Sequence, residues 1–117
     1  MLSAINSALS GLAAYAKQLE VTAHNVANVN TDGFKKSHTE FVPVETGGVL
    51  PVVLKDSSAG PMVLNHTGYG PALVELSNVD LGEETVNQIL AQRGFEANIS
   101  ALKTADDMVG TILDMKR

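Results

Sequence analysis

Apolar residues recur at alternating steps of three and four from the first turn of the chain: Leu2, Ile5, Leu9, Leu12, Ala16, Leu19, Ala23 and Val26. That is an unbroken a/d heptad seam, and it predicts one helix from Met1 to about Val29. Such a helix is roughly 40 Å long at ~1.5 Å per residue. Its remaining surface carries few charges, with only Lys17 and Glu20 among Ser, Asn, Gln and Thr. A solvated helix normally sets many charges opposite its apolar stripe. This helix is therefore expected to be covered on more than one side in its working state.

The pattern ends in a cluster of asparagines, Asn25, Asn28 and Asn30, followed by Thr31-Asp32-Gly33-Phe34. Asparagine tolerates the left-handed conformation that closes a helix, and glycine adopts it without steric cost. Asp and Asn side chains also bond their own backbone in turns. Asn25, Asn28, Asn30, Asp32, Gly33 and Phe34 thus form a candidate hinge. The asparagines serve either as caps, or at least one crosses to another helix or subunit and fixes register.

Residues 31–76 follow another rhythm. Pro43, Pro51, Pro61 and Pro71 recur, with Gly at 47, 48, 60, 68 and 70, so no useful helix fits. Short apolar runs read as strands over Glu40–Val44, Val49–Lys55, Pro61–Asn65 and Pro71–Leu76. Gly47-Gly48 suits a hairpin turn, and Gly68-Tyr69-Gly70 reads as a turn. A small sheet or arm of this kind is unlikely to stand alone in water.

A second helix is predicted from Asp80 to about Met115. Asp80 is the expected N-cap, with Glu83 as its capping-box partner. One stripe runs through Val86, Leu90, Ala97, Ala101, Ala105, Met108, Ile112 and Met115, and a second through Phe95, Ile99, Leu102, Val109 and Leu113. One stripe can pack the first helix while the other meets something else. Gly94 and Gly110 carry a helix cost and suit the close approach of a neighbour.

The fold class is mainly α with a small β region. The N- and C-terminal helices, residues 1–30 and 77–117, are expected to pair as a coiled coil, parallel or antiparallel. The β-rich middle, residues 31–76, is expected at one end. The seam positions expected at subunit interfaces are Leu2, Ile5, Leu9, Leu12, Leu19 and Val26 on the first helix. On the second they are Val86, Leu90, Phe95, Ile99, Leu102, Met108, Val109 and Ile112.

Composition sharpens this picture. At 117 residues and 44% hydrophobic but 4% aromatic, the chain favours helix seams over a deep core. Its net charge of −5 argues against nucleic-acid binding. With no cysteine there is no disulfide or thiolate chemistry. No apolar run approaches the ~18 residues of a membrane span, so no membrane insertion is expected. The N-terminus lacks the pattern of a cleaved signal peptide.

No catalytic constellation emerges. His24, His38 and His66 lack metal-ligand spacing. Glu83-Glu84 and Asp106-Asp107 are adjacent on a helix and do not face each other, so they read as dipole and solvated charges. Nothing assembles a nucleophile, base and orienter, and no enzyme, cofactor, metal or small-molecule substrate is expected.

Two runs carry a family likeness. Ser7-Ala8-Leu9-Ser10-Gly11-Leu12 with Ala23-His24-Asn25-Val26-Ala27-Asn28-Val29-Asn30-Thr31-Asp32-Gly33-Phe34-Lys35 resembles the N-terminal signature of bacterial flagellar rod and hook proteins. Ser77-Asn78-Val79-Asp80, Ala91-Gln92-Arg93-Gly94-Phe95-Glu96-Ala97-Asn98 and Thr104-Ala105-Asp106-Asp107-Met108 resemble the C-terminal one. His24 stands at the usual first Asn of the core, Asp32 at a common Pro and Phe95 at a common Tyr. The short middle points to a short proximal-rod type. The resemblance implies a structural subunit of the basal-body rod, exported through the flagellar export apparatus without a cleaved signal. Its expected partners are itself and other flagellar axial proteins. The alternative is a helical-hairpin adaptor that forms a small closed oligomer.

Overall fold

The computed structural model describes residues 1–117. The chain runs α1 (Leu2–Ala27), β1 (Ser37–Pro43), β2 (Val49–Lys55), β3 (Met62–Thr67), β4 (Gly70–Glu75) and α2 (Leu81–Met115). Helix, β middle and longer helix follow the expected order.

The two helices pack antiparallel. Asn25 meets Glu84 near one end of the pair, and Tyr15 and Gly11 meet Gly94 and Asn98 farther along it. The packing face is not the a/d seam. The buried residues of α1 are Ala8, Gly11, Ala14, Thr22 and Asn25, and those of α2 are Glu84, Ala91 and Ala105. On α1 most of this stripe sits one residue before the seam, a rotation of about 100° around the axis. The reason is size. A Cβ on Gly94 would collide with the Tyr15 ring, and one on Gly11 with the Asn98 side chain. The small residues bring the axes close, and the larger seam residues are turned outward.

α1 is covered on a further side by the β1–β2 hairpin, which lies along its length. The expectation of β segments gathered at one end fails for this hairpin. Tyr15 and Phe41 meet edge to face with ring centroids 4.9 Å apart. The Val49 N–H donates to Ser10 Oγ at 3.1 Å, while that hydroxyl donates to the Ser7 carbonyl at 2.7 Å. Serines on α1 thus serve the hairpin, which accounts for much of the helix's missing charge. The expected Gly47-Gly48 turn joins the strands, with φ of 98° and 88°. β1 starts at Ser37, earlier than the apolar run, because its backbone is held there by Asn25.

The strands do not form one sheet. β1 pairs only with β2 and β3 only with β4, each antiparallel. β3–β4 turns at Gly68-Tyr69 and packs against no other element. It stretches the molecule to 82 × 24 × 17 Å. The radius of gyration is 20.9 Å, against about 13 Å for a compact chain of this length.

The helix ends also refine expectation. α1 stops at Ala27, and Asn28 follows with φ of −106°, so no asparagine is left-handed. Instead the Asn28 amide donates to the His24 carbonyl at 3.0 Å and accepts from the Thr31 hydroxyl at 3.1 Å. The left-handed residue is Gly33, with φ of 71°. At α2, Asp80 Oδ1 accepts from the Gly82 and Glu83 N–H groups at 2.8 and 3.3 Å. The reciprocal half of the capping box does not form, because Glu83 Oε2 is taken by Lys36 Nζ at 2.6 Å.

Candidate assembly site

All segments meet where α1 ends and α2 begins. Asn25 is 1% exposed, so every polar atom on its side chain needs a partner. Its amide donates to the Ser37 carbonyl at 2.7 Å and to Glu84 Oε1 at 3.1 Å. Its carbonyl accepts from the Ser37 N–H at 3.0 Å. One side chain therefore ties α1 to the first residue of β1 and to the first turn of α2. Of the two readings open for the asparagines, the crossing one holds for Asn25 and the capping one for Asn28. Asn30 and Asp32 are exposed.

Glu84 was expected as a dipole charge at the start of the second helix, and it is buried at 2% exposure. It sits one helical turn after the N-cap, on the face turned to Thr22 and Asn25. Burial pushes its carboxyl above the usual range, against the opposing hydrogen bond from Asn25. Lys36 is raised as well, chiefly by its hydrogen bond to Glu83.

A second knot was not visible in the sequence pattern. Asn78 Oδ1 accepts from the Lys36 N–H at 2.7 Å, and its amide donates to the Asp56 and Ser58 carbonyls, both at 3.1 Å. Asp56 Oδ1 accepts from the Ser58 N–H at 2.9 Å, which holds its carboxyl below the usual range. Lys35 Nζ binds Glu75 and donates to the Ser58 carbonyl at 2.8 Å. Glu75 also accepts from the Gly60 N–H at 2.8 Å, and its carboxyl is lowered by Lys35 first and Gly60 second. The Gly33 N–H donates to the Glu75 carbonyl at 2.8 Å, so the left-handed glycine roots β4. Only the run Ser77-Asn78-Val79-Asp80 hinted at this knot. His24, in place of the usual asparagine, lies edge to face on Phe34 at 5.5 Å.

The joint is structural chemistry. No group of three or more His, Cys, Asp or Glu side chains could hold a metal ion. No helix is long and apolar enough to cross a membrane.

Most seam residues lie away from the joint. Leu2, Leu9, Leu19 and Val26 are exposed, as are Val86, Leu90, Phe95, Met108 and Ile112. Ile5, Leu12, Ile99, Leu102 and Val109 are half-covered. The chain's own buried hydrophobic core is four alanines, Ala8, Ala14, Ala91 and Ala105. α2 also outruns α1. With Gly11 opposite Asn98, the antiparallel pair brings Met1 level with about Met108. Met108–Met115 extend beyond it, with Ile112, Leu113 and Met115 bare.

A tight helical pair locked by a polar joint, with most of its large apolar residues exposed, defines a helical-hairpin structural protein. Comparison with known proteins narrows this class. Residues 5–35 match the family described as flagella basal body rod protein, and residues 72–115 match the C-terminal family of flagellar basal body rod FlgEFG proteins. The flagellar basal-body rod protein FlgC of Salmonella typhimurium is 32% identical over 93% of this chain and 92% of its own length. The chain belongs to the flagellar basal-body rod protein family. Longer relatives match at one part only. FlgG of Borreliella burgdorferi is 44% identical over 38% of this chain, and the match spans 17% of FlgG. The hook protein FlgE of Escherichia coli is 35% identical over 50% of this chain, spanning 16% of that protein.

Proposed function

We infer that this chain is a structural subunit of the bacterial flagellar basal-body rod, polymerising through its terminal helices into an axial tube. One observation carries the reading: most large apolar residues of both helices are exposed, and the only fully buried hydrophobic residues are four alanines. A soluble monomer rarely leaves contiguous apolar surface of this kind uncovered. The near full-length likeness to a short rod protein supports the same conclusion. No observation favours the closed adaptor.

In this reading the paired ends, residues 1–30 and 77–117, form the inner assembly layer, and residues 31–76 lie outside it. The outward seam residues from Leu2 to Val26 and from Val86 to Ile112 are the subunit contacts. The partners are further copies and other axial rod and hook proteins. Delivery is by the flagellar export apparatus without a cleaved signal, and the site of action is the rod of the basal body. The role is structural and non-enzymatic, with no small molecule, nucleic acid or membrane insertion involved.

Gene deletion with complementation tests this reading. Loss of motility with absent or truncated rods, restored by the intact gene, is expected. Normal motility and intact basal bodies in the deletion strain would refute it.

A further inference from the structure

A groove of about 620 Å³ opens between α1 and α2. Leu19, Ala23, Ala91 and Phe95 make much of its apolar floor. Its charged lining consists of two carboxylates, Glu20 and Glu96; each pairs within its own helix, with Lys17 and Arg93 at 3.0 Å, in exposed pairs that are worth little and exchange partners readily. A smaller hollow along Leu19, Ala23, Val26 and Ala27 continues it toward the C-terminal end of α1. From Tyr15 to Ala27 the strip is roughly 18 Å long at ~1.5 Å per residue.

The same chain carries an element of matching chemistry. The overhanging turns Met108–Met115 are about 12 Å long. Met108, Ile112 and Met115 fall on one helix face, with Val109 and Leu113 beside them. The element ends in Lys116 and Arg117, neither of which forms an ion pair within the chain. It cannot reach its own groove, because it lies past the far end of α1.

We propose that the C-terminal overhang of one copy docks in the α1–α2 groove of a second copy, with Lys116 and Arg117 set against Glu20 and Glu96. The two surfaces differ, so the contact is heterologous and can pass from copy to copy, as an open assembly requires. Apolar burial supplies most of the affinity. The charges set polarity and make association weaken with salt. This inference rests on the rod reading and names the contact that reading leaves unspecified.

Because the chain has no cysteine, cross-linking is clean. Two full-length variants, Leu113→Cys and Ala23→Cys, are purified separately and then mixed under mild oxidation. The mixture should give a disulfide-linked heterodimer, and neither variant alone should give a linked homodimer. Ile112→Asp with Leu113→Asp should weaken self-association in sedimentation about tenfold or more, with circular dichroism unchanged. Lys116→Glu with Arg117→Glu should do the same at low salt, and Glu20→Lys with Glu96→Lys should restore it. A homodimer from either single variant would mean a closed contact and overturn the proposal. So would the absence of a mixed product up to the solubility limit, or full self-association of the Ile112/Leu113 variant. Each of these failures leaves the rod reading standing if the deletion strain still lacks rods. An intact rod in that strain would instead remove the reading on which the contact rests.

Discussion

Replacing Asn25 with alanine tests the joint most directly. The substitution keeps the helix, since alanine is the best helix former. It removes three hydrogen bonds at once, two to Ser37 and one to Glu84. The Ser37 N–H and carbonyl lose partners in a half-buried strand end, and a 2% exposed carboxylate loses its donor. Each unsatisfied buried group costs about 1–3 kcal/mol, and the two backbone groups take the lower end because water partly reaches them. The expected total is about 3 kcal/mol. With a denaturant slope of about 1–3 kcal/mol per molar in urea, the midpoint should fall by 1 M or more. Asn28→Ala is the control, since it removes only local bonds at the end of α1 and should cost about 1 kcal/mol or less. Urea titration followed by circular dichroism, at a concentration where the chain is monomeric, measures both. If Asn25→Ala matches Asn28→Ala within about 0.5 kcal/mol, the joint does not hold the segments together and the reasoning fails.

Other substitutions follow the same geometry. Burial raises Glu84, so its protonated form is favoured in the fold; that stability is complete below the ordinary value of 4.5 and is lost as pH rises through the raised folded value. Glu84→Gln should therefore equal the parent near pH 4 and exceed it at pH 7, as read by urea midpoints across pH. Glu75 and Asp56 act oppositely, contributing above their ordinary values of 4.5 and 3.8 and losing that contribution as pH falls through their lowered ones. Gly33→Ala places nothing against a neighbour but forces φ of 71° on a residue with a Cβ, so thermal or urea unfolding should show a loss of about 1–2 kcal/mol, and Gly33→Val more. Gly94→Ala should destabilise by about 1–3 kcal/mol because the methyl meets the Tyr15 ring. Gly110→Ala meets nothing and should stabilise α2 by about 0.5–1 kcal/mol. A shared sign for those two glycines would argue against the observed helix register.

The long elements were legible because each depends on local signals. The heptad rhythm defined α1, Asp80 announced the start of α2, and Gly47-Gly48 marked a turn. The face on which the helices meet was not legible. Hydrophobic periodicity assumes that large apolar residues lie inside, and here Ala, Gly, Thr and Asn lie inside because they allow close approach. Glu84 was read only as a dipole charge. Its burial depends on Asn25, 59 positions away, and no local pattern carries such a pairing. The partners of Asn78 were hidden for the same reason, since Lys36, Asp56 and Ser58 lie far from it in sequence. α1 was read as covered on more than one side in its working state, and within the chain both α2 and the β1–β2 hairpin lie against it.

The β3–β4 hairpin acts as a lever arm. It touches no other element and is held at its root by Glu75, Gly60, Gly33 and Lys35. Its tip stands about 20 Å from that root at ~3.4 Å per residue, so a root rotation of about 10° carries Tyr69 some 3–4 Å, roughly. Any change at that ion pair or glycine would be magnified at the tip, because the hairpin makes no contact with the helical pair. Neighbours at slightly different spacings could then meet the same exposed Leu64, Tyr69 and Leu73 without any change in the packing of α1 on α2.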